Sequence, residues 1–453
     1  MSLYNSPAFS EVIEIFNDKV KPVNHIWKCK IILPNKEYEI LKVVEIDIVR
    51  DYINNFADEV SITIPIPKGF YNNEIIRYKD NVEFELIRTP TAELDTIAVE
   101  DKILVLRYKA IVIDTKNDIV SSKKLTSDDP KSDDLSDLEN KTFQLIDKTV
   151  SALRKFETGG IYRNSIPGKA VHYSLTHAIS KLNVSSKFKV LGVDMVTSDN
   201  TTPYKHVIIP HGTKLFNVPQ YVQNNWGGIY NTSIGNYLQN NIWYIWPQYN
   251  TKRYGLEEKV LRVYNLPSSL FPNVERTYRI NNKEVIILST GESEFKDLSY
   301  SEKLNLGNGF RFTKGDNIMS GFDTVNKTDN NKYITNRNEN NVEVKLDEWN
   351  DDSYAPVSPN RITNNLMRET SRISKRNGSY VKVVWESSNQ ELIYPGMPVK
   401  YIYILNNELQ EINGVVIDAH HFIHDLSKGP KQIKHQTNTA ITIFIERLKE
   451  LHK

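Results

Sequence analysis

Two long stretches of this chain, residues 26–113 and the last 75 residues, alternate apolar and polar side chains with a period of two. A strand with that alternation buries one face and wets the other, which is the pattern of antiparallel sheet and not of a parallel α/β fold. The first stretch reads as successive strands: IWKCKIIL, KVVEIDIVRDY, EVSITIPIP, DNVEFELIR and DKILVLRYKAIVI. Val60, Ile62, Ile64 and Ile66 share one face of the third, and Val82, Phe84 and Leu86 share one face of the fourth. The second stretch repeats the pattern in YVKVVWE, MPVKYIYIL, NGVVIDAHHF and NTAITIFIERL. Strands at this density favour a sandwich or barrel. The expected fold class is mainly β with an α+β insertion: two antiparallel β-barrel domains flanking a mixed α/β middle.

The intervening segments set the expected organisation. Residues 8–20 form an amphipathic helix by the spacing of Val12, Ile13, Phe16 and Val20, closed by Pro22. It packs on its own domain or docks on a neighbouring subunit. Residues 121–140 hold six acids, three lysines and few apolar groups, and read as a solvated linker. The run SDDPKSDD lacks the Gly and terminal Glu of a calcium loop. Residues 141–182 read as mainly helical, KTFQLIDKTVSALRKF and then PGKAVHYSLTHAISKL, with a break at Gly159-Gly160 and Pro167 in a first turn. Strands follow over 188–209, a helix over NVPQYVQNNW, an aromatic strand NIWYIWPQY, and further strands over 259–290. Residues 313–352 read as long polar loops, and 363–377 as a helix stopped by Gly378. The domain boundaries expected from this are 1–22 (helical segment), 23–120 (first barrel), 121–145 (acidic linker), 146–258 (α/β insertion), 259–362 (mixed β with polar loops) and 363–453 (second barrel).

Composition narrows function by exclusion. The 453 residues carry 57 Lys and Arg against 56 Asp and Glu, a balance foreign to a nucleic-acid-coating polycation or an acidic mimic. A single cysteine, Cys29, excludes an intramolecular disulfide and a cysteine-cluster metal site, and between lysines in a strand it reads as an inert structural thiol. No apolar run approaches 18 residues, and the N-terminus lacks a secretory signal, so a cytoplasmic place of synthesis and assembly is expected. Neither phosphate-binding glycine motif nor a G-x-S-x-G elbow is present. His420, His421 and His424 cluster in HHFIH, but a strand sends the first and third to one face and the second to the other, so they read as structural or surface histidines. His172 and His177 do not share a helix face well. Arg368, Arg372 and Arg376 make a basic stripe that reads as a solvated face, and Trp243, Tyr244, Trp246 and Tyr249 read as core packing or subunit contact. No catalytic constellation emerges and no cofactor is called for; the expectation is a structural or binding protein that is not an enzyme.

Four segments carry a resemblance. They are DYINNFADEVSITIPIPKGFYNNEIIRYKDNVEFELI (51–87), VSALRKFETGGIYRNSIPGKAVHYSLTHAISK (150–181), IPHGTKLFNVPQYVQNNWGGIYNTSIGNYLQNNIWYIWPQY (209–249) and ELIYPGMPVKYIYILNNELQEINGVVIDAHHFIHDLSKGPKQIKHQTNTAITIFIERL (391–448). Together they cover about half the chain, and in their strands and turns it resembles the baseplate central hub (tail hub) family of contractile-tailed bacteriophages, related to the base of type VI secretion spikes. The resemblance implies two tube-like barrels per subunit and a homotrimer. Three chains would then present six similar units to a sixfold tail tube and three to a threefold central spike. It implies a virion location in the tail baseplate. The partners it implies are the chain itself, the tail tube protein, the central spike protein and other baseplate proteins, with DNA passing through without specific binding. The residues expected at the assembly interface are Ile62, Ile64, Val82 and Phe84 in the first barrel's strands and Val399, Tyr401, Ile441 and Ile443 in the last barrel's. The alternatives are another tail component or a carbohydrate-binding adhesin and, further off, a tail-associated peptidoglycan hydrolase.

Overall fold

The computed structural model describes residues 12–13, 16, 25–40, 42–90, 103–111, 138–185, 190–256, 259–267, 276–281, 283–298, 312–314, 323–327, 333–336, 374–375, 378–405, 408–426 and 434–446, with backbone alone for 183–185 and for three strands between 312 and 336. The calls on SDDPKSDD, on Arg368, Arg372 and Arg376, and on most of the helix at 363–377 lie outside them.

The first region supplies β1 (His25–Leu33), β2 (Lys36–Ile40), β3 (Glu45–Asp51), β4 (Glu59–Pro67), β5 (Glu83–Pro90), β6 (Leu104–Ile111) and β7 (Leu138–Asp147). The last of these differs from the helix expected at KTFQLIDKTVSALRKF. Ile146, Val150 and Leu153 have helical spacing, but Phe143 and Leu145 have strand spacing, and both of these are buried. Tertiary context decides between the two periods: β7 fills the place between β4 and β6 and pairs antiparallel with each. The chain turns helical only after Asp147, whose carboxylate accepts from the backbone N–H of Thr149 and Val150 and so caps α1 (Lys148–Leu153).

The middle of the chain forms β8 (Glu157–Ser165), α2 (Pro167–Ser185), β9 (Gly192–Met195), β10 (Tyr204–Lys214), α3 (Val218–Asn225), β11 (Ile234–Gln239) and β12 (Ile242–Pro247). Pro167 opens α2 as expected. Gly159 and Gly160, by contrast, lie inside β8 and break nothing. A Cβ at Gly159 would stand 2.7 Å from the backbone of His211 on the paired strand, so the residue permits a close approach of backbones. The helices, β10–β8 and the β11–β12–β9 sheet enclose one core that includes Val171, Leu175, Leu215, Val222, Tyr230 and Trp243.

The remaining strands are β13 (Val260–Asn265), β14 (Tyr278–Asn281), β15 (Glu284–Leu288), β16 (Ser293–Asp297), β17 (Phe312–Lys314), β18 (Asp323–Lys327), β19 (Tyr333–Asn336), β20 (Gly378–Trp385), β21 (Pro398–Leu405), β22 (Glu408–Asp425) and β23 (His435–Glu446). Within the stretch expected to be polar loops, β18 and β19 pair with each other, and with β17 at its start they make a small antiparallel sheet. Gly378 opens β20.

Fifteen strands join in one large mixed sheet. The path β3–β4–β7–β6–β5–β1 is brought back to β3 by β23 and β22, which pair with each other. A second path, β14–β15–β13–β21–β22–β23–β20–β16, stays open among the described residues. Its ends come close where Thr277 Oγ1 donates to the Glu386 carbonyl (2.7 Å) and accepts from Trp385 Nε1 (2.9 Å). The antiparallel expectation holds around the first path, whereas β13 runs parallel to both β15 and β21, and β9 runs parallel to β12. The two ends of the chain are also not independent sheets. At about 3.3 Å per residue, the 18-residue β22 is long enough to serve both: Glu408–Val415 pairs with β21 and Asp418–His424 pairs with β3. A bulge between Val416 and Asp418 separates the halves and re-aims the strand.

Each path surrounds its own apolar core. Trp27, Ile31, Ile48, Ile62, Phe84 and Phe143 fill the first, and Val263, Ile287, Val383, Trp385, Tyr401 and Ile443 fill the second. The helical residues Val12 and Phe16 pack on the outside of the second against Tyr264, Leu266, Ile286, Leu288 and Ile402, so these two residues dock within their own chain.

Candidate functional site

The most developed polar cluster lies at the junction of the two paths and the middle body. Its hub is Arg50 on β3, only 2% exposed. Arg50 is in phase with Ile46 and Ile48, so the strand's inward face presents it to the interior. Its Nε donates to Asp58 Oδ2 (3.1 Å) and its Nη1 donates to the Gln390 carbonyl (2.7 Å) and to His421 Nε2 (3.2 Å). Asp58 in turn accepts from the Tyr237 hydroxyl of β11 (2.9 Å). Beside it, the Tyr52 hydroxyl donates to Gln239 Oε1 (3.1 Å), and Gln239 Nε2 donates to the Ile393 carbonyl (2.7 Å). Arg88 Nη1 donates to Asn389 Oδ1 (3.2 Å). Single side chains thus tie β3, β5, β11, β22 and the 389–393 segment together.

The donors around His421 run in one direction. Because Arg50 donates to Nε2, the proton sits on Nδ1, which donates to Thr439 Oγ1 (2.7 Å). Thr439 then donates to Ser388 Oγ (2.6 Å), and Ser388 donates to the Thr437 carbonyl (3.2 Å). His435 holds the opposite tautomer: Trp27 N–H donates to Nδ1 (3.2 Å) and Nε2 donates to the Val43 carbonyl (3.0 Å). Burial lowers the pKa of both histidines, and Arg50 adds to the effect at His421, so both stay neutral. A cluster of this kind holds geometry. Its imidazole, His421, is fully buried.

The other sequence candidates take plain places. Ile62, Ile64, Val82, Phe84, Val399, Tyr401, Ile441 and Ile443 are all fully buried within the chain's own cores. The face they share is the inward one. Cys29 is buried in the first core, and burial pushes its thiol up and keeps it protonated. His420 pairs with Asp47 on the outer face, while His421 points inward. No group of three or more His, Cys, Asp or Glu among the described residues is placed to hold a metal ion. Trp243, Trp246 and Tyr249 are core residues, and Tyr244 stacks on Tyr394 (6.0 Å, 25°). None of the described helices is long and apolar enough to cross a membrane. The sequence reading missed Arg50 and Asp58; the signal available was a lone arginine in phase with two isoleucines.

No protein-family model matches the chain, and no curated protein does. Solved structures of phage tail and type VI secretion proteins match it over most of its length. It is similar to the tail protein from Neisseria meningitidis at 8% identity and a TM-score of 0.43, covering 92% of this chain and 96% of that one. It is similar to the 43 kDa tail protein of prophage MuSo2 from Shewanella oneidensis at 9% identity and a TM-score of 0.44, covering 92% and 98%. It is similar to a component of the E. coli type VI secretion system at 7% identity and a TM-score of 0.35, covering 93% and 74%.

Proposed function

We propose that this protein is a structural component of a phage tail, the central hub of the baseplate, and that it works as a homotrimeric symmetry adapter. The observation that carries the reading is the pair of strand paths, each wrapped round its own apolar core and joined by one shared hairpin. Each chain offers two β-barrel-like bodies, so three chains offer six to a sixfold tail tube and three to a threefold spike. The shared hairpin fixes the spacing of the two bodies, which an adapter needs more than it needs a reactive group. The buried cluster of Arg50, Asp58 and His421 serves the same end by locking the middle body to both.

On this reading the chain is not an enzyme, sits in the virion tail baseplate, and is assembled in the host cytoplasm. Its partners are its own copies, the tube protein, the spike protein and other baseplate proteins, and DNA passes through the ring unread. The contact surface on the expected strands consists of outward alternates such as Ser61, Thr63, Glu83, Glu85 and Lys400, which are part-exposed. Imaging of the purified protein by negative stain, with mass measured in solution, tests the proposal. A three-lobed ring with a central hole and three times the chain mass is expected. A persistent monomer that binds glycans would replace the hub by an adhesin.

A further inference from the structure

β23 changes its neighbour part-way along. On the edge away from β22 it pairs with β1 at His435 and with β20 from Thr439 to Glu446. Just beyond β20, the Ser388 N–H still reaches the Thr437 carbonyl (2.8 Å). Where β1 and β20 part, the two strand paths leave a cavity of about 160 Å³, open to solvent, with walls from both. An apolar cavity of about that size holds one benzene, so there is room for a single small guest. An inorganic phosphate is slightly smaller than benzene.

The walls are polar and of one sign. β1 contributes His25, the start of the β14 segment Arg276, the turn after β20 Ser387, and the head of β23 Lys434. Among the described residues no carboxylate lines the cavity. The neighbouring acids are committed elsewhere: Asp425 pairs with Lys42, and Glu386 is exposed and meets Thr277 through its backbone carbonyl. A cleft walled by cations alone concentrates anions.

The groups are also held in place. The Arg276 guanidinium lies over the Tyr278 ring at 4.2 Å, which fixes its plane and aims its N–H groups along that plane. Ser387 is held in the left-handed region (φ 49°), its N–H donating to Asn438 Oδ1 (3.2 Å). Its hydroxyl accepts from Gln436 Nε2 (3.5 Å) and has a proton to give. Two other wall residues are already spent: His435 uses both ring nitrogens, and the Ser388 hydroxyl closes the chain that starts at Arg50. The donors left facing the space suit an oxyanion with several oxygens.

We propose that this cavity binds one free oxyanion of the phosphate class, held by Arg276, Lys434 and Ser387, with His25 beside them. The guest would bridge the first strand path to the second at the mouth of their shared hairpin. The site is independent of the hub reading, and neither depends on the other.

Calorimetric titration and thermal unfolding of the full chain test it. The probe is inorganic phosphate, compared with chloride at matched ionic strength and with acetate. The variants are Lys434→Gln, Arg276→Gln and Lys296→Gln, the last opposite Tyr380 at the other end of β20. Lys434 and Lys296 are exposed, and far-ultraviolet dichroism checks the fold of all three. The native chain is expected to take up one phosphate saturably, and its unfolding midpoint to rise with phosphate beyond the chloride control. Lys434→Gln and Arg276→Gln should each weaken uptake about tenfold, the loss of one charge-assisted hydrogen bond, and Lys296→Gln should leave it unchanged. No saturable uptake, a midpoint shift that chloride reproduces, or full uptake in both cavity variants would overturn the proposal. Equal weakening by Lys296→Gln would do so as well, by reducing the effect to overall charge. Acetate bound more tightly than phosphate would overturn the phosphate class and assign the cavity to a carboxylate.

Discussion

At the scale of single residues, the costliest group to disturb is Arg50. Its charge is buried, and it holds Asp58, the Gln390 carbonyl and His421 together. Removing it leaves Asp58 without its ion partner and deprives an internal carbonyl and a ring nitrogen of their donor. Arg50→Ala is therefore expected to lower stability by about 3–5 kcal/mol in urea unfolding. Asp58→Asn, at a site whose side chain keeps 18% exposure and an amide in place of the carboxylate, should cost distinctly less. The buried histidines make a separate prediction. Their pKa is lowered by folding, so below about pH 6.5 the unfolded chain takes up protons that the folded chain refuses, and stability falls with pH. Each imidazole contributes about 1.4 kcal/mol per pH unit between its unfolded and folded pKa. Asp147, Asp199 and Asp418, raised by burial, act with the opposite sign, in a window just above their ordinary value near 3.8. Unfolding between pH 7 and pH 5 should show the histidine slope, and His421→Gln should make it shallower. A slope unchanged by that substitution would mean His421 is not the group responsible. Of this cluster the sequence disclosed the HHFIH run and its alternation of faces. The rest stayed hidden because Arg50 is linked to Gln390 and His421 across more than 300 positions, a pairing that no local pattern encodes.

At the scale of elements, alternation was legible wherever one face met a core, as in β4 and β5, and misled where two periods overlapped. In β7, Phe143 and Leu145 keep strand spacing while Ile146, Val150 and Leu153 keep helix spacing; the open place between β4 and β6 settled the matter. The parallel pairs of β13 were illegible for a different reason: a strand buried on both faces, with Val260, Leu261, Val263 and Tyr264 all buried, shows no alternation. β11 offers a sharp test of element packing. Gly235 sits opposite Trp246 of β12, and a Cβ there would lie 2.1 Å from the indole ring. Trp246 is 2% exposed and packs edge-on to Tyr52 at 6.4 Å, so it has little room to retreat. Gly235→Ala is expected to cost about 1–3 kcal/mol by overpacking, and to shift the near-ultraviolet dichroism of the tryptophans while leaving the far-ultraviolet spectrum largely as it was. Full stability in that variant would mean that the indole moves freely.

At the scale of the molecule, the hairpin of β22 and β23 makes the two strand paths mechanically one. Ile423 of β22 lies in the first core and Val416 in the second, while β23 pairs with β1 at one end and β20 along the rest. Neither path keeps its order if the hairpin leaves, so the cores are expected to unfold together despite being separate apolar clusters. Phe143→Ala removes side-chain volume from the first core alone and Val399→Ala from the second alone. Cavities of this kind cost about 3–5 kcal/mol for the phenylalanine and less for the valine. If the hairpin couples the cores, each substitution shifts one common transition, and circular dichroism and tryptophan fluorescence move to the new midpoint together. Two transitions, with only the mutated core shifted, would show that the bodies melt independently. The outcome bears on the adapter reading. Two bodies held at fixed spacing can meet a sixfold rim in register, whereas two that open separately would have to find that register on docking, at a cost in conformational entropy.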